Sequence, residues 1–535
     1  MLDKFWVKVL LSVLVFGCSF AAYYYPIHVK GYPVSVGFGT LAKARNFAVS
    51  GTYNYESPDG VLLSSERVGD AAVETAVLNP LNPIIYGHLF KYANINSIDL
   101  LTLVYLAVIL AAISNVIIFF LMVRLFGTAT GFISVIIMAL FPLRVVDALT
   151  VVYSEFGMLF FAIALWLYLG SKQGPFEAGK LRLTFFSVFF ALTALARNAF
   201  LISFPVFVLY DFYKNRSYKR VLLLILPFLV IFGSTLTPFS WLGAPNGYLA
   251  GFESQPSGLL GEVFPDPYTA HYDRENFIEN LQGTSYRGIN DAHFLKQWGY
   301  DVSVWEQFKS YLGSAVFYLK ESMSLTTFGG PLIVLFMCIG AYWLYYNKKD
   351  ILFFFLTWLV LWFLGLVYYQ TSNRGHYLQI MIILASLAGL GIYQLLKQLG
   401  LSTVKKSTTA LLLLFLTIGH LAYANKWKLF EAYESTKIEV MVGFAKELKA
   451  DDLPEGTVAA NINTTLTSIL HYFLDKDTVY FAQETVEKLV EEGRLKEAFD
   501  IYGVHTAIGF SEKTSQDIKR LTSIDKVISD SFLEE

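Results

Sequence analysis

The sequence is poor in charged residues and in cysteine, and both shortages limit what the protein can be. Charged residues make up 16% of the 535 positions, compared with about 25% in soluble globular domains. Hydrophobic residues make up 55%, and the mean hydropathy is +0.49. The two cysteines, Cys18 and Cys338, both lie inside apolar runs, which is typical of packing residues and not of a disulfide framework. This composition predicts a polytopic membrane protein.

Three further patterns are missing, and each absence argues against a class of function. The formal net charge is -2 and no segment forms a basic stripe, which argues against a nucleic-acid partner. The loop 241–328 contains histidines and acids, but without the tight HxxxH or HxxE spacing of a metal site. We therefore assign no metal ligands, and a divalent metal ion is left open as a cofactor. The sequence has no internal repeat, whereas many transporters are built from repeats.

The apolar residues are gathered into about eleven runs, which we expect to be membrane-spanning helices. A spanning helix needs about 20 apolar residues. No small-residue cleavage site follows the first run, so we interpret it as a retained span and not as a signal peptide. The stretch 306–328 is only partly apolar and is expected to be interfacial or re-entrant. The runs lie near 5–25, 99–123, 128–146, 150–169, 181–196, 199–213, 219–240, 330–346, 351–369, 377–396 and 408–425.

Basic residues in the short loops indicate the topology, because cytoplasmic loops of membrane proteins carry an excess of Lys and Arg. If the N-terminus is cytoplasmic, every strongly basic short loop falls on the cytoplasmic side. We therefore predict a multi-pass protein of the plasma membrane whose loops 25–99 and 241–328 and C-terminal tail lie outside the cytoplasm. The basic loop residues are Lys4, Lys8, Arg124, Lys172, Lys180, Arg182, Lys214, Arg216, Lys219, Arg220, Lys348, Lys349, Lys397, Lys405 and Lys406.

The chain changes character near residue 427, which predicts a domain boundary. Residues 1–426 are expected to form the membrane domain. Residues 427–535 are more charged and alternate between helix and strand periodicity, which predicts a small extracytoplasmic α/β domain. The patterns predict helices at 439–449, 466–474 and 485–499, and strands at 456–460, 478–481 and 507–510.

The loop 25–99 contains two distinct sequence patterns, which a simple connection between two spans does not need. Residues 39–51 have the pattern of a helix that ends at Gly51, and residues 79–87 are rich in proline and asparagine. Long loops of membrane and soluble proteins usually carry function. We therefore expect this loop to contribute to a functional site.

Five short motifs follow one another along the chain, and the predicted topology places all of them on the outer side of the membrane. They are Ala44-Arg45-Asn46-Phe47 with Ser50-Gly51, Asn79-Pro80-Leu81-Asn82-Pro83-Ile84-Ile85-Tyr86, Phe141-Pro142 with Tyr153-Ser154-Glu155, Leu195-Ala196-Arg197-Asn198, and Asn373-Arg374-Gly375-His376-Tyr377. In order and spacing the set resembles the GT-C superfamily of membrane glycosyltransferases. The nearest resemblance is to its family 39-like branch, which includes protein O-mannosyltransferases and aminoarabinose transferases.

The resemblance implies a fold and a reaction. The fold would be a polytopic helical GT-C domain of about eleven transmembrane helices with a small C-terminal α/β domain. The reaction would transfer a sugar from a polyprenyl-phosphate carrier to a lipid, glycan or protein acceptor of the cell envelope, on the non-cytoplasmic face. One position departs from the family pattern, because the acidic residue expected soon after the first span is replaced by Val36.

This transfer would need a carboxylate that takes the proton from the acceptor hydroxyl. Glu66 and Asp70 lie four residues apart in the first loop, so they would share one face of a helix. Asp147 and Glu155 flank the turn that follows Pro142, and Glu155 lies inside an apolar run, where an ionisable residue is a functional candidate. These four acids are the candidate catalytic residues.

The leaving phosphate would need cationic or hydrogen-bonding groups to stabilise its charge. Arg374 opens a span at the outer face and could hold a phosphate through two parallel hydrogen bonds. His376 could donate to the same phosphate, and Arg197 lies on a short outer turn. Each of the three could instead anchor the end of its helix at the membrane interface.

Two other functions are compatible with the sequence. The missing early acid is compatible with an inactive GT-C relative that binds lipid-linked glycan or holds partner proteins. A transporter or flippase is the third hypothesis, but such proteins tend to have charged residues near the middle of the membrane. No such cluster is visible in the sequence.

Overall fold

The fold is described from a computed structural model of the chain. The described residues are 5–51, 55–56, 62–63, 81–93, 100–152, 154–171, 174–234, 304–368, 374–398, 403–436, 438–450, 453–454, 456–461, 469–470, 472–474, 476, 478–481, 483–524 and 526–529.

Helices dominate the first four fifths of the chain. In chain order the elements are α1 (Phe5–Lys30), β1 (Ser35–Val36), α2 (Phe38–Ser50), β2 (Tyr55–Glu56), β3 (Leu62–Leu63), α3 (Leu81–Tyr92), α4 (Leu100–Phe126), α5 (Thr128–Leu140), α6 (Pro142–Ala148), β4 (Thr150–Val151), α7 (Glu155–Leu169), α8 (Lys180–Ala196), α9 (Phe204–Asn215), α10 (Tyr218–Gly233), α11 (Val304–Ser322), α12 (Leu325–Phe328), α13 (Pro331–Asn347), α14 (Lys349–Tyr368), α15 (Met381–Gln398) and α16 (Thr403–Thr436). Two 3-10 helices span Asn198–Ser203 and Arg374–Gln379.

Helices and strands alternate in the C-terminal part of the chain. The elements are α17 (Ile438–Ala450), β5 (Thr457–Ala460), β6 (Thr478–Tyr480), α18 (Gln483–Glu491), α19 (Leu495–Tyr502), β7 (Val504–Phe510), α20 (Glu512–Leu521) and β8 (Lys526–Ser529). The predicted strands at 456–460, 478–481 and 507–510 and the helix at 439–449 are confirmed. The predicted helix at 485–499 is wrong as one element, because Gly493 has φ +70° and separates α18 from α19.

The chain divides into two compact units. The first combines the described parts of 1–36, 100–234 and 308–436, and the second combines those of 37–99, 235–307 and 437–535. Each unit is therefore assembled from segments that are distant in sequence. The boundary near 427 stays a prediction.

Four helices of the first unit, α1, α4, α14 and α15, are long and apolar enough to cross a membrane, within the residues that the structure describes. The pair α5 and α6 also passes this test, but it is bent by 66°. The sequence run 128–146 is therefore broken and not a straight span. The predicted number of about eleven spans stays a prediction.

The bend between α5 and α6 follows from Pro142. Proline has no backbone N–H and cannot continue the hydrogen-bond ladder of the preceding helix. The break leaves carbonyl groups of α5 without helical partners. The side-chain Nδ2 of Asn425 donates to the carbonyl of Leu140 at 2.7 Å, so α16 satisfies part of the break. Helix α16 also packs against α6.

Helices α13 and α15 approach closely because glycines lie at their crossing. A Cβ built on Gly391 would lie 2.0 Å from the carbonyl oxygen of Phe336, and one on Gly340 would lie 2.0 Å from that of Leu387. Real Cβ atoms essentially never lie so near to backbone oxygen. The glycines therefore permit backbone-to-backbone packing, as small residues do between membrane helices.

Basic side chains donate hydrogen bonds to the carbonyl groups at the C-terminal ends of two helices in the first unit. Arg182 donates to the carbonyls of Trp166 and Leu167 at the end of α7, and Lys348 donates to the carbonyl of Leu125 at the end of α4. Such contacts satisfy the orphan carbonyls and suit the negative end of the helix dipole.

The second unit contains a four-stranded parallel sheet in the order β6-β5-β7-β8. Its core is apolar and includes Phe481, Leu489, Phe499 and Ile518. Helices α2 and α3 pack closely in the same unit, because a Cβ on Gly87 would meet the Phe47 ring at 2.6 Å. The predicted helix at 39–51 is confirmed by α2, which ends at Gly51 with φ +78°.

Candidate functional site

The turn between α6 and α7 brings two acidic side chains and a serine of the first unit together. Asp147 lies near the end of α6, and Ser154 and Glu155 begin α7. The hydroxyl of Ser154 donates to Oδ1 of Asp147. Asp147 and Glu155 are 9% and 5% exposed, so both carboxylates are largely shielded from water.

Asp147 forms a buried ion pair with Arg144 on the same short helix. The Nη1 of Arg144 donates to Oδ2 of Asp147 at 2.8 Å, and the two side chains are 1% and 6% exposed. The Nη2 of Arg144 lies 3.4 Å from the carbonyl of Ala111. Its Nε has no hydrogen-bond partner among the described residues. Burying such a pair is costly unless each charge is fully matched, so the pair is a functional candidate and not simply a stabilising contact.

Glu155 holds the backbone of the turn. Its Oε1 accepts a hydrogen bond from the N–H of Val152 at 3.0 Å, and its Oε2 accepts one from the N–H of Ser154 at 3.0 Å. Val152 has φ +63°, a left-handed conformation that is rare for a β-branched residue. The carboxylate therefore fixes a strained turn beside Asp147, and such strain is often found at functional sites.

The segment after the first helix lies against the same turn. Strand β1 pairs in parallel with β4, with Ser35 opposite Thr150 and Val36 opposite Val151. Val36 is the position where the resemblance leads one to expect an acid. Val36 pairs with Val151, so the carboxylates of Asp147 and Glu155 lie on the turn that adjoins the position of the expected acid.

Arg197 lies beside the start of α7. A Cβ on Gly157 would lie 3.2 Å from the Cβ of Arg197, so the glycine lets the arginine approach α7 two residues after Glu155. Arg197 is 4% exposed and caps the C-terminal end of α8. The sequence placed Arg197 on a short outer turn, and the structure shows that its side chain is buried beside the start of α7.

His376 lies on the 3-10 helix Arg374–Gln379, which contacts α6 and the 3-10 helix that follows Arg197. Its Nδ1 lies 3.1 Å from the hydroxyl of Tyr318, and its carbonyl accepts from the Trp362 indole at 3.1 Å. Burial and then the positive charge of Arg197 lower the pKa of His376 to about 3. The imidazole is therefore neutral at physiological pH.

This low pKa has a consequence for stability. The unfolded chain takes up the proton below about pH 6.5, whereas folded His376 stays neutral until about pH 3. Stability should therefore fall as pH drops below 6.5, by up to about 1.4 kcal/mol per pH unit from this group. His376→Gln should make the acid-side decline shallower in thermal unfolding between pH 7 and pH 5. An unchanged slope would show that the ring titrates normally.

Gln379 fixes the segment that carries His376. Its Oε1 accepts from Ser203 at 2.6 Å and its Nε2 donates to the carbonyl of Ala199 at 2.7 Å. The indole of Trp358 donates to Ser203 at 2.9 Å. These bonds tie both 3-10 helices to α14, so Arg197 and His376 are carried by one fixed framework.

An apolar groove opens beside His376. It has a volume of about 370 Å³, and Tyr318, Trp362 and Tyr377 form part of its wall. Aromatic contacts connect it to the bend, since Tyr377 packs on Phe328 at 4.9 Å and Phe328 packs on Phe141 at 5.3 Å. The other lining residues are Leu319, Ser322, Leu359, Val360, Phe363, Leu364, Ile380 and Leu384.

The structure thus gathers some of the predicted residues and leaves others undecided. Asp147 and Glu155 share one turn, and Arg197 and His376 lie on elements that contact it. Glu66 and Asp70 lie outside the described residues, and so does the side chain of Arg374. Among the described residues no group of three or more His, Cys, Asp or Glu side chains could hold a metal ion.

Sequence reasoning missed several residues of this region, which are Arg144, Ser154, Tyr318, Tyr377 and Glu321. Arg144 pairs with Asp147 on the same short helix, a contact that the sequence does not single out. Glu321 is 6% exposed and accepts a hydrogen bond from Thr327 at 2.6 Å. Glu321 is a charged residue inside the partly apolar stretch 306–328, and this feature of the sequence could have identified it.

Solved structures share this fold. The oligosaccharyltransferase of Archaeoglobus fulgidus in its apo form is 11% identical, with a TM-score of 0.58 over 94% of this chain and 69% of that one. The oligosaccharyltransferase AglB from Archaeoglobus fulgidus, in complex with an inhibitory peptide and a dolichol-phosphate, gives a TM-score of 0.55 at 10% identity over the same shares. The chain shares the fold of this membrane oligosaccharyltransferase, which is a GT-C fold. The predicted resemblance is thereby confirmed at the level of the fold.

Within the GT-C fold, a further similar structure is ArnT from Cupriavidus metallidurans bound to undecaprenyl phosphate. It is 12% identical, covers 99% of this chain and 90% of that one, and has a TM-score of 0.49. No protein-family model and no curated protein sequence matches the chain.

Proposed function

We propose that the protein is a membrane glycosyltransferase that moves a sugar from a polyprenyl-phosphate carrier to an acceptor hydroxyl of the cell envelope. The observation that supports the proposal is that Asp147, Arg197 and His376 lie on neighbouring elements of the first unit, and that an apolar groove lined by Tyr318 and Tyr377 opens beside His376. The similar archaeal enzyme was solved with a dolichol-phosphate, which is a polyprenyl phosphate. By the charge rule of membrane topology, the site faces outward from the plasma membrane, and so does the C-terminal α/β domain from about residue 427.

In the proposed reaction, the acceptor oxygen attacks the anomeric carbon of the sugar and the bond from that carbon to the phosphate oxygen breaks. Asp147 takes the proton of the acceptor hydroxyl. Arg197 and Arg374 stabilise the charge that develops on the departing polyprenyl phosphate. Glu155 holds the turn that carries Asp147, and Glu66 and Asp70 of the first loop are further candidate acids.

His376 would act on the phosphate as a neutral donor. If the Tyr318 hydroxyl donates to Nδ1, the ring carries its proton on Nε2. A neutral imidazole can donate that N–H to a phosphate oxygen without first taking up a proton. The apolar groove, of which Tyr318 forms part, would hold the first isoprene units of the carrier.

The groove provides the experiment that tests carrier binding. Leu359→Trp fills part of the groove and should weaken binding of a polyprenyl phosphate about tenfold, because the tail then loses apolar contact. Binding is measured on purified protein by displacement of a fluorescent polyprenyl phosphate. Leu356→Trp is the matched control, since Leu356 lies on the same helix, is exposed and does not line the groove. Equal affinity of the two variants would contradict a carrier site in this groove.

An inactive GT-C relative is the second candidate function. It is favoured by Val36 at the position of the expected acid and by the commitment of both Glu155 oxygens to backbone N–H groups. Such a protein would bind lipid-linked glycan without transferring it. It predicts normal carrier binding together with no effect of Asp147 substitution on any glycan of the cell.

A further inference from the structure

The parallel sheet of the second unit carries a polar cluster that the proposed reaction does not use. All three pairings of the order β6-β5-β7-β8 are parallel. From β5 the chain adds β6 on one side and then β7 on the other, so the winding reverses between β5 and β7. In open parallel sheets, ligands bind outside the carboxyl ends of the strands at such a reversal point.

Polar side chains from three strand ends meet at this point. Asn461 directly follows β5, Gln483 begins the helix after β6, and Ser511 directly follows β7. The Nδ2 of Asn461 lies 3.4 Å from Oε1 of Gln483, and Nε2 of Gln483 donates to the hydroxyl of Ser511 at 2.8 Å. The amide of Gln483 therefore joins the ends of all three strands.

The backbone of β7 is irregular at the same edge. Gly509 has φ +79°, and the pairing of β7 with β8 shifts register between Ile508 and Phe510. The Nδ2 of Asn461 donates to the carbonyl of Gly509 at 3.1 Å. Bulges and glycines inside strands are common beside sites where a ligand approaches the backbone.

The cluster bonds mainly to itself, since the Ser511 hydroxyl accepts from Gln483 and from the N–H of Thr514 and lies 3.0 Å from the Thr514 hydroxyl. Two polar groups nevertheless have no partner among the described residues. The Nε2 of Gln483 lies within hydrogen-bond distance of Ser511, Thr514 and Glu487, although an amide nitrogen has only two hydrogens. The Oδ1 of Asn461 accepts no hydrogen bond from the described residues. The hydroxyl of Thr485, in the first turn of α18, is buried and also without a partner in the described chain.

The chemistry of these groups selects the ligand class. Asn, Gln, Ser and Thr side chains both donate and accept hydrogen bonds, as sugar hydroxyls do. The Glu487 carboxylate accepts hydrogen bonds from Gln483 and Thr514 in the cluster, so a phosphate or sulfate would meet a negative charge there. We propose that the carboxyl edge between β5 and β7 binds a neutral saccharide, with the open Oδ1 of Asn461 as its hydrogen-bonding contact and with Gln483 and Ser511 as the residues that position Asn461. The proposal does not rest on the transfer reaction.

The test is binding of full-length purified protein to an array of neutral oligosaccharides. Wild-type protein should bind at least one, and Asn461→Ala and Gln483→Ala should each weaken that binding at least tenfold. Arg494→Ala is the matched control, because its exposed ion pair with Glu497 lies outside the cluster, and it should bind as wild type does. Failure to bind any oligosaccharide, or full binding by the folded Asn461 and Gln483 variants, overturns the proposal.

A second measurement tests the proposal on the wild-type protein, so that it does not depend on whether the variants fold. Hydrogen exchange of the wild-type protein with and without the bound oligosaccharide should show protection at 461, 483 and 509–511. Protection confined to other segments overturns the proposal, whatever the variants do. Because this readout needs neither donor nor transfer, it is unaffected by the failure of the proposed glycosyltransferase activity.

Discussion

Asp147→Asn is expected to lower the rate of sugar transfer about 10³-fold, because an amide cannot take the proton of the acceptor hydroxyl. The measurement is initial rate with a polyprenyl-phosphate sugar and a fixed acceptor. Carrier binding should change little, since the apolar groove is untouched. The loss should therefore appear in kcat and not in the affinity for the donor.

This substitution also leaves Arg144 buried without its partner, which by itself costs about 3–5 kcal/mol. The double variant Arg144→Met with Asp147→Asn removes both charges and should restore much of the stability lost by the single variant. It should not restore activity. A double variant that recovers both stability and transfer would show that Asp147 is structural and that another acid is the base.

Gly391→Ala should destabilise the first unit by about 3 kcal/mol or more, because its new methyl group would lie 2.0 Å from the carbonyl oxygen of Phe336. Helices α13 and α15 would have to separate, and their contact is the most extensive between helices of this unit. The readout is the midpoint of thermal unfolding of the purified protein in detergent. The pH profile described for His376 can be recorded on the same samples.

Gly419→Ala is the matched control. Gly419 is also helical, but nothing lies within 4 Å of its added Cβ, so the change should stay within about 1 kcal/mol. Equal midpoints for the two alanine variants would contradict the close crossing of α13 and α15.

Periodicity and end signals predicted much of the local structure. The glycine at 51 marked the end of α2, and the alternation of short apolar runs marked β5, β6 and β7. The turn at 492–494 was missed because the apolar period continues across it into α19. Helix α20 was also missed, although Ser511 caps it by accepting from the N–H of Thr514.

The candidate site was predictable only in part, because its contacts join distant segments. The sequence singled out Asp147, Glu155, Arg197 and His376 as ionisable groups near predicted span ends. It could not show that Arg144 pairs inward with Asp147, since a snorkelling arginine has the same local pattern. Nor could it place Tyr318 against His376, because 58 residues separate them.

The central claim is that Asp147 and its neighbours transfer sugar from a polyprenyl-phosphate carrier. The most direct measurement incubates the purified protein with a panel of radiolabelled polyprenyl-phosphate sugars and envelope acceptors, beside the Arg144→Met, Asp147→Asn double variant. We predict labelled acceptor with wild-type protein and at most about a thousandth of that rate with the double variant. Wild-type protein that transfers no sugar from any donor of the panel, or a folded double variant as fast as wild type, would contradict the account.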